Sequence, residues 1–387
     1  MKSLIISSLS IFLCFFAQAQ YCVMPITKVP LKEMENGFYY SLPQTGIKVE
    51  IRLTKTIFHK GIYSNYAATL LGLSDVISED RSSYEISDIQ IQNFAIPDPS
   101  EIYFVSTKKT NLQVQWNDNG TLLSINYAPI HKQNENPILL SQQASSSNLD
   151  TPQAGNIFTE LNVYEKFDTI FKKIKVDTML MVQKVIKSDM VKKTEAQKAE
   201  EMANQIIATK NKREDLLSGM QEVNYDAKTM AYMTEELLAS ASNYLLCFTG
   251  YSERSSYTYT FEFIPEQDTL YPIAYFSNQT GITPLEKEEA ADAQTLYLIF
   301  NKEDKTNKQI QKFNKKALLA DQPIGFYYRL PSLAQTNVYL DQHLLKQEQF
   351  PIAQWGNSLN LPATDLKLSL DPLTGAIHFL EFTPTKK

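Results

Sequence analysis

The heptapeptide GFYYSLP at Gly37 to Pro43 returns as GFYYRLP at Gly325 to Pro331, with six of seven residues identical. A repeat this close inside one chain constrains the fold strongly, because repeated sequence implies a repeated structural unit. The likeness continues downstream of each copy. After the first come Ile47, Val49, Ile51 and Leu53 in alternation, then a hairpin-like run, LQVQWNDNGTLLSINY, at 112–127. After the second come Val338 and Leu340, then LKLSLDPLTGAIHFLEF at 366–382. Each closing run alternates apolar residues around a turn that ends in Gly120 or Gly375. One β unit is therefore expected twice, near the two ends of the chain.

The first unit lies in an expected N-terminal β domain, 30–128. Its runs KVEIRL, YEISDIQI at 84–91 and EIYFVS at 101–106 alternate with period two, which places their apolar side chains on one face of a strand. Asn119 and Gly120 between two such runs predict a hairpin turn, because both residues tolerate positive φ. YAATLLGL at 66–73 reads as a short helix ending near Gly72. Residues 129–160 are rich in Gln, Asn, Ser and Pro. Such a composition buries too little apolar surface to offset ordering, so a flexible linker or long loop is expected there.

The segment FDTIFKKIKVDTMLMVQKVIKSD at 167–189 mixes helix and strand periods. Asp177 and Thr178 between two β-branched stretches favour a β-hairpin over 161–192. Helix signals follow at once. Thr194 with Gln197 three residues on forms a capping box. Ala196, Ala199, Met202, Ala203, Ile206, Ile207, Leu216 and Leu217 are then expected on one face before Gly219 stops the helix. A second helix starts near Asp226 as N-cap, carries Met230, Met233, Leu237, Ala241, Tyr244, Leu245 and Phe248 at three-and-four spacing, and ends by Gly250. The short connection makes 193–250 an antiparallel helical hairpin. From 251 to 387, SYTYTFEFIP, YPIAYF, TLYLIF and the second GFYYxLP unit form a C-terminal β domain. The expected class is α+β, mainly antiparallel β, with two related β-sandwich-like domains and an inserted antiparallel helical hairpin.

Residues 1–19 have the parts of a secretory signal: a basic start at Lys2, an apolar core from Leu4 to Phe16, and Ala17-Gln18-Ala19 as the cleavage site. The apolar core is shorter than the roughly 20 residues of a membrane span. An exported protein, periplasmic or at the cell surface after cleavage near Ala19, is expected, with no transmembrane segment in the mature chain. Cleavage removes only Lys2 from the charge count and leaves 36 basic against 43 acidic residues. That acidic balance argues against nucleic acid, whose phosphates need clustered Lys and Arg. Cys22 and Cys247 remain, either paired in an oxidising compartment or as free thiols.

No catalytic, cofactor-binding or metal-ligating residue is assigned. The four histidines, His59, His131, His343 and His378, lack zinc spacing. No nucleophile elbow or phosphate-binding glycine loop occurs. WNDNGT at 116–121 reads as a turn rather than a calcium loop, since the closing Glu is absent. Adjacent acids such as Glu79–Asp80, Glu235–Glu236 and Glu288–Glu289 point apart on regular elements and read as solvated surface. The motif residues Gly37, Phe38, Tyr39, Tyr40, Leu42, Pro43, Gly325, Phe326, Tyr327, Tyr328, Leu330 and Pro331 are the candidate positions. Their tyrosines have stacking faces suited to a sugar. Successive aromatics on a strand face opposite sides, however, so one of each pair is expected to serve the core.

The paired GFYYxLP units, KREDLLSG at 212–219, LLCFTG at 245–250, YTFEFIPE at 259–266, FPIAQWG at 350–356 and LDPLTGAI at 370–377 resemble a family of exported Bacteroidota proteins, domain of unknown function 4831. The resemblance covers nearly the whole mature chain. It implies a Gram-negative envelope setting and brings no activity, cofactor or catalytic residue. The expected function is a non-catalytic binding or scaffold protein of the envelope, with a protein or glycan partner. The alternative is a carbohydrate- or peptide-acting enzyme whose active site is assembled from loops. An outer-membrane barrel fits poorly, because the charged helices have no place in a barrel wall.

Overall fold

The computed structural model describes residues 22–26, 37–106, 112–128, 162–176, 179–220, 225–266, 269–286, 292–303, 324–363 and 365–382. The signal-like segment 1–19, the polar stretch 129–160, His131, Asp177, Thr178, Glu288 and Glu289 lie outside the described residues.

In chain order the elements are β1 (Cys22–Pro25), β2 (Gly37–His59), α1 (Ala67–Leu71), β3 (Arg81–Ser106), β4 (Val114–Trp116), β5 (Leu122–Ile125), β6 (Val163–Val176) and β7 (Met179–Lys192). They continue with α2 (Glu195–Ser218), α3 (Ala227–Thr249), β8 (Tyr251–Phe263), β9 (Leu270–Ser277), β10 (Gly281–Thr283) and β11 (Gln294–Lys302). The chain closes with β12 (Ile324–Leu340), β13 (His343–Pro362), β14 (Leu366–Leu370) and β15 (Ile377–Phe382). The fold is α+β and mainly antiparallel, with open sheets and an inserted helical hairpin.

Strand β2 shows why alternation matters. Ile47, Val49, Ile51 and Leu53 are all fully buried. Together they contribute on the order of 6–12 kcal/mol of transfer free energy, an upper bound because unfolded chains already bury some surface. The strand spans two cores. Its first half sends Tyr40 and Leu42 into one with Val105, Leu122, Ile125, Phe326, Leu361 and Leu368. Its second half sends Ile47, Val49 and Ile51 into another with Leu298, Phe300, Val338, Ile352 and Trp355. β12 does the same from the other end of the sequence, with Phe326 in the first core and Ala334 and Val338 in the second.

Three larger sheets run in the orders β1-β3-β2-β8, β10-β9-β11-β12-β13 and β15-β14-β5-β4. The last joins the two ends of the chain, since β14 pairs antiparallel with β5 through Leu368 opposite Ile125 and Ser369 opposite Ser124. The two β units thus share a sheet and both main cores.

The two helices form as their capping signals predict. Thr194 accepts from the Gln197 amide while the Gln197 side chain accepts from the Thr194 amide, and Asp226 caps α3. Gly219 closes α2 at φ +72°, a conformation that favours glycine. The base of the helical hairpin packs on the segment between β2 and β3, where Ala199, Met202, Ala203 and Phe248 meet Tyr63 and Ala67.

Two local features differ from the alternation-based reading. The segment holding Cys22 is a strand, because residues 22–25 pair with Ser106 to Tyr103 of β3. The turn after β4 spans Asn117 to Gly120, closed by a 2.8 Å bond from the Gly120 amide to the Asn117 carbonyl. Only Gly120 in that turn has positive φ, so it is not the two-residue turn that the Asn-Gly pair suggests. Cys247 carries a free thiol, buried at the end of α3.

Candidate functional site

The two GFYYxLP copies run into irregularities of the same shape. In the β2–β3 hairpin, Ser41 lies opposite Ile102 and Pro43 opposite Pro97, so two steps on β2 span five on β3. In the β12–β13 hairpin, Leu330 lies opposite Asn357 and Ser332 opposite Ile352, again two steps against five. Proline has no amide to give the ladder, and strands accommodate it at bulges. The extra residues, Asp98–Glu101 on β3 and Ala353–Gly356 on β13, loop out beside the motif prolines. The turns that end the two closing runs also approach equivalent positions. Ser41 bridges Thr121, the residue after Gly120, and the Arg329 amide donates to the Gly375 carbonyl at 2.9 Å. Gly375 has φ +71°, and a Cβ there would lie 2.8 Å from the Pro43 ring.

Each bulge grips the other copy. From the β3 bulge, Asp98 Oδ2 accepts from Arg329 Nη2 at 2.5 Å, and Glu101 Oε1 lies 3.7 Å from the same guanidinium. Arg329 Nη1 donates to the Pro43 carbonyl at 3.0 Å, and Ser358 Oγ donates to Glu101 Oε1 at 3.0 Å. From the β13 bulge, Gln354 Oε1 accepts from the Thr45 amide at 2.9 Å, and Gln354 Nε2 donates to the Thr45 carbonyl at 3.0 Å. The Ala353 amide adds a 2.9 Å bond to Thr45 Oγ1. Between the grips, Tyr40 Oη accepts from the Tyr327 amide at 2.8 Å. Tyr103 stacks on Tyr327 at 4.0 Å between ring centroids and on Tyr40 at 5.4 Å, while its hydroxyl donates to Glu101.

This seam is dry. Arg329 is 3 % exposed and Tyr40 2 %. Burial opposes the charged form of Asp98, but hydrogen bonds from Ser100 and the Arg329 guanidinium more than offset it, leaving the carboxyl below the ordinary aspartate range. Burial pushes the Tyr40 and Tyr103 phenols up, and for Tyr103 the hydrogen bond to Glu101 adds to the shift. A buried pair of this kind tolerates loss of one partner badly, because the remaining charge is left in a low-dielectric site. The arrangement suits clamping, with Arg329 and Asp98 buried and Glu101 at its partly exposed edge.

The candidate residues divide between this seam and the surface. Leu42, Pro43, Gly325 and Phe326 are buried. Gly37 is exposed but tightly approached, since a Cβ there would meet the Val105 carbonyl at 2.1 Å. Phe38 sits edge-on to Trp116, and Tyr39 is exposed beside the Phe104 ring. Tyr327, Tyr328 and Pro331 are half-buried, and Leu330 is exposed. The tyrosines of the first pair therefore point to opposite sides. Sequence reasoning missed Asp98, Glu101, Arg329, Thr45 and Gln354. One signal pointed to Arg329: it stands at the single position where the two heptapeptides differ.

Elsewhere, His59 stacks on Tyr251 with Nε2 3.7 Å from Glu253. Asp80 accepts from the Lys60 amide, and Glu235 and Glu236 are exposed on α3. Burial raises the Cys247 thiol above its ordinary value, which disfavours the reactive thiolate. Among the described residues no three His, Cys, Asp or Glu side chains gather as a metal site. A polar cleft of about 470 Å³ lies between Phe58, Glu79, Arg81 and Tyr251, and an apolar groove of about 480 Å³ lies between α2 and α3.

Residues 36–378 match the family model described as a domain of unknown function (DUF4831), and the chain belongs to that family. No curated protein and no solved structure matches the chain. Among the described residues, no helix is long and apolar enough to cross a membrane.

Proposed function

We propose that this is an exported, non-catalytic binding or scaffold protein of the cell envelope, periplasmic or surface-located, with the signal-like segment 1–19 removed near Ala19. The duplicated β units form the rigid body, and the motif residues serve the seam that locks one copy to the other. Binding falls to the two arms inserted between the copies: the β6–β7 ribbon and the α2–α3 hairpin. The observation that carries this reading is the ribbon. Its large apolar side chains face solvent, with Phe167 62 %, Phe171 66 %, Ile186 62 % and Met190 64 % exposed. A two-stranded ribbon is marginal by itself in water, and exposed apolar patches of this kind mark interaction surfaces.

The test is photo-crosslinking in cells from a probe at position 171, after fractionation and sequencing of the mature N-terminus. The expected result is a processed chain starting near Gln20, found with the envelope and captured there in a discrete adduct. An unprocessed cytoplasmic chain that yields no adduct defeats the proposal.

A further inference from the structure

We infer that the partner of the β6–β7 ribbon is a second copy of this chain, whose α2–α3 hairpin receives it, and that the exchange is reciprocal within a two-fold dimer. This rests on the reading of the arms as binding elements and gives that reading a specific occupant.

The ribbon is in register along its full length, from Val163 opposite Lys192 to Val176 opposite Met179. Alternation within that register puts Phe167, Phe171, Val182, Ile186 and Met190 on one face. Among the described residues, β6 and β7 pair with no other strand. This face therefore lacks the partner layer that an apolar sheet face needs.

Charge selects the partner. Residues 161–192 carry seven lysines against four acids, on a chain with net charge −6. Residues 193–250 carry six basic against nine acidic side chains. The two arms are thus opposite in sign by equal amounts, +3 and −3. Lys173 and Lys184 share the apolar ribbon face with Glu165, while Glu236 and Lys212 line the groove between the helices with Leu216, Tyr232, Met233 and Leu237. Tyr232 is 63 % exposed there. Both surfaces are therefore apolar with charged side chains beside them, and the arms that carry them are opposite in net charge. Such complementarity gives an interface its register and partner choice.

Dimensions agree. A 14-residue strand runs about 46 Å and the 24-residue α2 about 36 Å. Overlap along the shorter length buries on the order of 400 Å² on each surface, and two reciprocal contacts bury about 1,600 Å² in all, the standard size of a stable complex. Reciprocity also closes the assembly, since a single one-way contact would propagate into a filament.

The experiment is sedimentation and light scattering of the full mature chain up to about 100 μM, a range that registers dimers of micromolar affinity. A dimer is expected. Lys173→Glu with Lys184→Glu should weaken it about tenfold or more, Glu236→Lys should weaken it similarly, and the combination should recover a large part of the loss. Phe171→Ser should also dissociate it while leaving the circular dichroism and thermal midpoint of the body unchanged. Three results overturn the inference: a monomer throughout the range, a dimer indifferent to changes in both arms, or a monomer whose ribbon binds vesicles of anionic phospholipid instead. If the chain is monomeric yet the position-171 probe captures another envelope component, the binding reading survives and only the second-copy assignment falls.

Discussion

The two heptapeptide copies share six residues and a bulge of the same shape that falls one position later in the second copy, and they bury different members. Leu42 is fully buried, whereas its counterpart Leu330 is 38 % exposed. Tyr40 closes the first core while Tyr328 is half-buried, and Phe326 is buried where Phe38 is only half so. The copies also differ at the fifth position. Ser41 bridges Thr121, whereas Arg329 reaches across to Asp98 and the Pro43 carbonyl. Two identical units would present identical surfaces at the seam. Arg329 gives the seam a contact that Ser41 does not make, beside those of Thr45 with Gln354 outside the motif.

Making the copies alike should break this arrangement. Arg329→Ser, which restores the residue of the first copy, leaves Asp98 buried without its partner and is expected to lower stability by about 3–5 kcal/mol in urea unfolding. Asp98→Leu with Arg329→Met should recover most of that loss. A loss below about 1 kcal/mol for the single change would show that the seam does not depend on the ion pair. Next comes the paired truncation of one motif position. Leu42→Ala should cost about 2–5 kcal/mol and Leu330→Ala less than about 1, and equal losses would remove the asymmetry described above.

Tyr40→Phe deletes the acceptor for the Tyr327 amide and should cost about 1–3 kcal/mol, whereas Tyr39→Phe should change little. pH sharpens the same comparison. The folded value of Asp98 lies below its ordinary one, so its contribution is complete above about pH 3.9 and is lost as pH falls through the lowered folded value. Acid titration should therefore destabilise the native chain more steeply in that window than Asp98→Asn. The smallest effect belongs to the ribbon. Phe167→Ser should shift unfolding by no more than about 0.5 kcal/mol, because its side chain faces solvent in the monomer.

The periodic parts of this fold were legible in the residues. The strand alternation of β2, β3 and β8, the capping box at Thr194, the stop at Gly219 and the hairpin hidden in the mixed pattern of 167–189 all follow from local chemistry. So does the duplication itself. What escaped has a common cause. Asp98 and Glu101 flank Pro99 and Ser100 where the strand alternation of 101–106 begins, and Gln354 sits in a short run with no period. Their partners are more than 200 residues away, so no local pattern encodes the contact. Nor did the exposed tyrosine face announce which member of each aromatic pair turns inward, because that choice depends on the neighbouring sheet.

By itself, then, the sequence determined the duplicated heptapeptide, the α+β class and the capped helical pair. Backbone period, caps and turn residues act over a few positions, and a few positions are enough to specify them. The tertiary structure decided how the two ends come together: the shared sheet through β14 and β5, the two cores spanned by β2 and β12, and the reciprocal grip of the bulges. Those are energies of burial and of charge in a low-dielectric seam, and they exist only once distant segments have excluded water from one another.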